Sequence, residues 1–388
     1  LFISDPIWNP DSYSYIKFAE WLLNSSSAFN DVFYLTIRTP GYPLILALSM
    51  LFFNYPNYVF VTHSILGVLA AYIFLKLIDQ PKSFAKKSFA LLCSYILLCF
   101  FYVSIMTEWI AFTLILISLA LSYKTYKSRN TFNFFLLGLV TGFLILVRPA
   151  LILFPIALII IGILNHAKKI QLTIMMLATL LTLSPWLSFN YLRFNKITLA
   201  EFGGYNLAGV AMAIDKSETT SKDSKELVDY ITRLNNKRFQ QNDMLKASLA
   251  EIRHKITYNI WQVAFNEAYT SNMQISTGNN FAEIYATRVI SRNLKTYLIF
   301  LLKQFQAYLF NFPLVLFSIY LLNKLSKKEA LKPLYITLLT AICFDLSNFF
   351  LCSLFVPIIP RFLLLTGVPL MLISSLSLFT LAERGNDG

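Results

Sequence analysis

Long apolar runs separated by short polar stretches dominate the chain. Runs near 58–78, 88–106, 109–123, 131–147, 149–165, 170–187, 311–323, 333–351 and 362–382 predict membrane-spanning helices. Some are shorter than the roughly 20 residues a span takes, so their ends are soft. Ahead of them, "SYSYIKFAEWL" sets Tyr15, Phe18, Trp21 and Leu22 on one face at helical spacing, with Asp11 at the mouth of this amphipathic helix. The stretch "GYPLILALSMLFF", 41–53, is apolar but short, bounded by Pro43 and "NYPN". Counting it as a span would invert every later loop, so it reads as interfacial or re-entrant.

The pattern changes over 188–295. From Asp215 to Arg253 the chain is polar, with helix-favouring runs such as "SKELVDYITRLNNKRF", which predicts a small helical subdomain outside the membrane. "TYLIFLLKQFQAYLF", 296–310, reads as an interfacial helix or as the outer half of the next span. The expected fold class is an all-α polytopic membrane protein. Its expected parts are 1–57, a first extracytoplasmic loop with juxtamembrane helices; 58–187, a transmembrane core; 188–310, an extracytoplasmic helical segment; and 311–388, C-terminal transmembrane helices. Leu1 is not an initiator Met, so a further span is expected upstream of the first loop.

Composition agrees: 56% of residues are hydrophobic and 14% charged, where a soluble domain carries about a quarter charged. The net charge of +13 raises nucleic acid as a partner. The basic residues cluster at span ends instead, so nucleic acid is excluded. Lys82, Lys86 and Lys87, then Lys124, Lys127 and Arg129, then Lys168 and Lys169, then Lys324, Lys327, Lys328 and Lys332 fall on alternate short loops. The opposite short loops, around 107, 148 and 357–361, carry only Arg148 and Arg361. By the positive-inside rule the lysine-rich loops are cytoplasmic, and Asp11, Glu108, Arg148, Arg361 and the 188–295 segment face outward. Cys93, Cys99 and Cys343 lie within apolar runs and Cys352 near a span end, with no CxxC or Cys/His spacing for a metal or redox site.

A charge at membrane depth costs about 2.5–3.5 kcal/mol on insertion scales, which makes each one a functional candidate. Asp11 reads as a base or as a helix N-cap, and the two roles are compatible. Asp5 and Asp31 read as solvated loop acids. Glu108, in "SIMTEWIAF", sits between two apolar runs, where a turn could use Ser or Asn, so it calls for a partner. Arg148, in "ILVRPALILFP", and Arg361, in "VPIIPRFLLL", are either interfacial anchors or ligands of an anion. Arg38, in "RTPGYP", is a further outward arginine close to apolar sequence, beside Arg148 and Arg361. Outward arginines that run against the charge rule point to an anionic ligand, a phosphate held at the membrane surface. Asp345, inside a span in "AICFDLSNFF", reads equally as a satisfied interhelical hydrogen bond or as functional, and His63 as a packed neutral histidine.

The segments "PDSYSYIKFAEWLL", "RTPGYPLILAL", "TGFLILVRPALILFPIAL", "LSPWLSFNYLRFNKITLAEFGGYNL" and "IIPRFLLLTGVPLML", in this order, resemble GT-C glycosyltransferases. The branch is the family-39-like one that contains protein mannosyltransferases and lipid A aminoarabinose transferase. The resemblance spans most of residues 9–382 and is weakest over 215–295. It implies a GT-C-like helix bundle in a bacterial inner membrane, with the active site facing the periplasm. It further implies a polyprenyl-phosphate-linked sugar donor and a lipid, glycan or protein acceptor. Asp11 then corresponds to the catalytic acid of the first loop, Glu108 to the second acidic position, and Arg38 to the basic position of the Pro block. Arg148, Arg361, Tyr15 and Tyr42 are the further substrate- and phosphate-binding candidates. Ser12 stands where many relatives have Glu, and Ile37 where some have Glu before the basic residue. A metal site built on that glutamate is therefore not expected, and no metal or other cofactor is predicted.

The chemistry needs these residue types. A hydroxyl attacking an anomeric carbon must lose a proton, and one placed carboxylate suffices to take it. The phosphate leaves as a stable anion, so the second carboxylate of a glycosidase is not required, whereas cations are. A single displacement inverts the anomeric centre. Two other readings stay open: an O-antigen-type polymerase or ligase, and a transporter or flippase for lipid-linked saccharides. The latter predicts repeats and midplane charges, and no repeat is seen.

Overall fold

The computed structural model of the protein describes residues 7, 11–23, 37–54, 57–240, 244, 246–271, 273–309, 311–355 and 360–385. Asp5, Asp31 and part of the 357–361 loop lie outside them. The described residues form helices joined by short turns, with no strand beyond a single bridge between Ile7 and Ser104. They divide into two units, one of residues 1–199, 311–348 and 361–388, the other of residues 200–310 and 349–360.

In the first unit α1 is Ser12–Leu23, α2 Gly41–Met50, α3 Asn57–Leu77, α4 Phe84–Leu97 and α5 Cys99–Tyr102. They are followed by α6 Thr107–Ser128, α7 Thr131–Val147, α8 Phe154–Leu164 and α9 Lys169–Phe194. After the second unit come α10 Phe312–Ser326, α11 Lys332–Phe355 and α12 Pro360–Gly385. Among the described residues α3, α6, α9, α11 and α12 are each long and apolar enough to cross a membrane. α7, at 17 residues, is apolar but spans only about 26 Å. The chain is therefore an all-helical multi-pass membrane protein.

Local chemistry sets the joints. Arg129 takes a left-handed conformation (φ 54°) that ends α6, and the Asn130 side chain accepts from the Phe132 N–H to start α7, a turn of two residues. Arg148 is extended and Pro149 opens a one-turn 3-10 helix before α8, as the Arg-Pro pair predicts. The run expected as one span over 88–106 is interrupted at Leu98 and ends at Tyr102. Its last backbone groups are used elsewhere: the Tyr102 carbonyl pairs with His63 Nδ1 (2.6 Å), the Val103 carbonyl accepts from the Ile7 N–H (2.8 Å), and the Ile105 N–H donates to Ile7 (3.2 Å). A helix cannot continue through groups already committed.

The stretch 41–53 contains a helix of only ten residues, about 15 Å long. Gly41 begins it directly against the C-terminal end of α7. A Cβ there would lie 2.5 Å from the Leu146 carbonyl carbon and 2.6 Å from the Val147 nitrogen, backbone atoms that cannot swing aside. Gly41→Ala is expected to lower stability by about 1–3 kcal/mol, read as an earlier thermal transition of the detergent-solubilised protein. α1 lies on the same region. Phe18 packs with Ile145, Leu146, Leu183 and Trp186, and Trp21 and Leu22 lean on the edge of that cluster. The apolar face read from the sequence is the buried face.

Alternation of the helices sorts the charges. At one end Tyr123 and Lys127 both hold Asp79, Lys86 holds Glu383 (3.1 Å), Lys87 donates to the Ile78 carbonyl (3.1 Å), and Arg129 donates to the Asn165 carbonyl (2.9 Å). Asp11, Arg38, Glu108, Arg148 and Arg361 gather separately, where α1, α6 and α12 begin and α7 ends.

The second unit has its own core. Helix Lys225–Lys237 turns Leu227, Tyr230, Ile231 and Leu234 inward at i, i+3, i+4, i+7, and they meet Tyr205, Tyr285, Val263 and Phe300. The buried phenols are satisfied: Tyr230 donates to the Ala264 carbonyl (2.8 Å) and Tyr285 to the Asp215 carbonyl (3.1 Å).

Candidate functional site

Asp11 sits at the start of α1. Its carbonyl accepts from the Tyr15 N–H (3.4 Å) and from the Ser14 hydroxyl (2.6 Å), the backbone position of a helix cap. Its carboxylate is turned away from that duty. Oδ1 accepts from Arg38 Nη2 (2.5 Å) and Oδ2 from Arg361 Nη2 (3.4 Å). The Ser12 hydroxyl donates to the Ile105 carbonyl (2.9 Å), tying the loop to the approach of α6.

Arg38 is held from three sides: Nη2 on Asp11, Nε donating to Ser14 Oγ (2.9 Å), and its guanidinium 4.8 Å from the centre of the Tyr15 ring. Tyr42 meets Tyr15 edge-on with ring centres 5.2 Å apart. Tyr42 is itself fully buried, its hydroxyl 3.4 Å from His63 Nε2, so it bears on Arg38 through Tyr15. His63 is buried with both ring nitrogens engaged.

Glu108, in the first turn of α6, forms the second half of the cluster. Oε1 lies 3.3 Å from Arg148 Nη1 and 3.5 Å from Arg361 Nε, and Oε2 accepts from the Thr107 hydroxyl (3.4 Å). Arg148 and Arg361 share the Phe362 ring, at 4.9 and 5.3 Å from its centre. Arg361 Nη1 also approaches Met106 Sδ (3.7 Å).

The five charges form two layers. The side chains of Glu108 and Arg148 are 2% and 8% exposed; those of Asp11, Arg38 and Arg361 are 20%, 17% and 29% exposed. Arg361 joins the layers, hydrogen-bonded to Asp11 and at ion-pair distance from Glu108. Three guanidiniums against two carboxylates leave one positive charge in excess, and the buried Nε of Arg148 has no hydrogen-bond partner among the described residues. Burial raises the Asp11 carboxyl, but the Arg38 guanidinium, then that of Arg361, outweigh it and hold the group below its usual range. The arrangement can hold an anion against Arg38 and Arg361 and place a carboxylate beside it.

The structure thus brings Asp11, Glu108, Arg38, Arg148, Arg361 and Tyr15 together, with Tyr42 behind them. Ser14, Thr107, Met106 and Phe362 belong to the cluster and were not singled out in the sequence. Ser14 and Phe362 carry a local signal, one a turn beyond Asp11 and the other next to Arg361. Asp345 is not part of this charge cluster; its Oδ1 accepts from the neutral side chains of Asn311 and Thr366. Among the described residues no group of three His, Cys, Asp or Glu side chains is placed to hold a metal ion. The chain matches no protein-family model, no curated protein and no solved structure.

Proposed function

We propose that the chain transfers a sugar from a polyprenyl-phosphate-linked donor to an acceptor hydroxyl at the outer face of a membrane. The acceptor is a lipid, a glycan or a protein. One observation carries this reading: a carboxylate and an excess of guanidinium charge lie together at the end of an apolar helix bundle opposite its lysines. The ordered resemblance to GT-C glycosyltransferases supports it, and the positive-inside rule makes the lysine end cytoplasmic.

In the proposed step the acceptor oxygen bonds to the anomeric carbon from the face opposite the phosphate. The carbon–oxygen bond to the phosphate breaks, its electron pair leaving with the polyprenyl phosphate, and the hydroxyl proton passes to Asp11. Configuration at the anomeric carbon inverts. Arg38 and Arg361 neutralise the leaving phosphate; Arg148 and Glu108 sit behind them and set the field. Tyr15 supports Arg38 through its ring face.

Membranes carrying the protein, incubated with radiolabelled polyprenyl phosphate sugars, are expected to move label from the donor to a second lipid, glycan or protein fraction. Absence of transfer with every donor tried, alongside normal expression, would overturn the reading.

A further inference from the structure

We infer that Asp345 is a positioning residue for Arg361, acting through a buried polar bracket that fixes the first turn of α12. The inference rests on reading the charge cluster as the donor-phosphate site. Asn311, just before α10, donates through Nδ2 to Asp345 Oδ1 (3.1 Å) and to the Leu363 carbonyl (3.1 Å). Thr366 Oγ1 donates to the same Asp345 oxygen (2.8 Å). Asn348, one turn beyond Asp345 on α11, donates to the Phe362 carbonyl (2.8 Å) and lies 3.4 Å from Thr366 Oγ1. The four side chains are between 1% and 5% exposed.

The two carbonyls captured, Phe362 and Leu363, directly follow Arg361. Holding both fixes the rotation and height of that turn. A shift of one residue along a helix turns a side chain by about 100°, which would take Arg361 away from Asp11 and Glu108. Asp345 has a specific part in this. Its Oδ1 is the acceptor for the bonds from both Asn311 and Thr366, so the Asn311 amide presents its NH2 group there, and the second hydrogen of that group reaches Leu363. It also sets the Thr366 hydroxyl rotor. Gly367 makes room for this: a Cβ there would lie 2.7 Å from Asn311 Nδ2. A buried acid in an apolar bundle is expensive where helix adhesion alone is needed; orienting donors next to a functional arginine accounts for its presence.

The test measures binding of sugar-free polyprenyl phosphate to purified protein. Asp345→Leu and Asn311→Ala are each expected to weaken binding about tenfold. Asp345→Asn, which keeps an accepting oxygen, should stay within about threefold of wild type. In an Arg361→Gln background the Asp345→Leu loss should vanish, because the residue it positions is gone. An equal loss in both backgrounds, or none in wild type, would overturn the inference. A second readout does not depend on the ligand. In protein with its native cysteines replaced by serine, Asp11→Cys and Arg361→Cys are joined by a short bis-methanethiosulfonate reagent. Asp345→Leu is expected to slow this cross-link about tenfold and Asp345→Asn to leave it unchanged; an unchanged rate in both overturns the positioning role. Wild type that fails to bind polyprenyl phosphate would refute the donor-site reading, and the cross-link would still decide the bracket.

Discussion

Asp11→Asn is expected to reduce sugar transfer by about 10²–10⁴-fold, the usual contribution of a positioned general base, and to tighten binding of the anionic donor. The two effects have one cause. Both Asp11 oxygens are engaged by guanidiniums, Oδ1 by Arg38 and Oδ2 by Arg361. A carboxylate so held is a weak base, and it competes with any phosphate for the same donors. Asparagine keeps the shape and removes the charge, which frees Arg38 and Arg361 for the phosphate; a gain of about 5–10-fold in affinity fits a partly exposed pair. The pH profile follows with its sign. The arginines hold the Asp11 carboxyl below its usual range, so in the free protein Asp11 is ionised, and its ion pairs are intact, at neutral pH and down through the ordinary aspartate range. They are lost only as pH falls through the lowered value. The acid limb of kcat/KM, which reports the free enzyme, should therefore lie below the ordinary range. The limb of kcat should lie higher, because bound phosphate draws the arginines away. Radiolabel transfer and polyprenyl phosphate binding, measured on the same preparations, decide this. Full activity in Asp11→Asn would remove Asp11 as the base. Weaker donor binding would show that the carboxylate holds the arginines ready rather than competing for them.

Much of the fold was legible because it is encoded locally. Apolar run length located α3, α6, α7, α9, α11 and α12, and the Arg148-Pro149 pair marked a break that the backbone makes. Period-3.6 spacing identified the buried face of α1 before any partner was known. The end of the 88–106 run at Tyr102 was invisible, since it follows from backbone pairing with Ile7 and His63, groups 96 and 39 positions away from the ones they bind. Scarcity made the site residues conspicuous: a charge in an apolar context stands out one residue at a time. What the chain could not reveal is which charges meet. Arg361 reaches Asp11 across 350 positions and Glu108 across more than 250, and only the fold, which sets the first turn of α12 beside the starts of α1 and α6, decides that it pairs with both. The division into a partly open layer and a closed one has the same origin. Nothing in "SIMTEWIAF" distinguishes a glutamate that meets substrate from one sealed behind two arginines.

That distinction makes Glu108 the site of the largest expected stability effect. Its side chain is 2% exposed and its Oε1 faces Arg148 and Arg361 together. Removing one partner from a buried ion pair strands the other, a loss of about 3–5 kcal/mol. Glu108→Ala should therefore unfold several degrees earlier in detergent, with reduced yield from membranes. Glu108→Gln keeps an oxygen to accept from one arginine and loses the charge, so about 1–3 kcal/mol is expected. Adding Arg148→Met to Glu108→Leu should recover part of the loss, because an apolar pair removes the stranded Arg148 cation along with its partner. The same variants separate two roles for this acid. A glutamate that meets the substrate would lose turnover in Glu108→Gln at nearly full stability. A glutamate that anchors Arg361 would lose stability and donor affinity together, with transfer by the folded, donor-saturated fraction close to wild type. Its depth behind the arginines favours the anchor, and wild-type stability in Glu108→Ala would refute it.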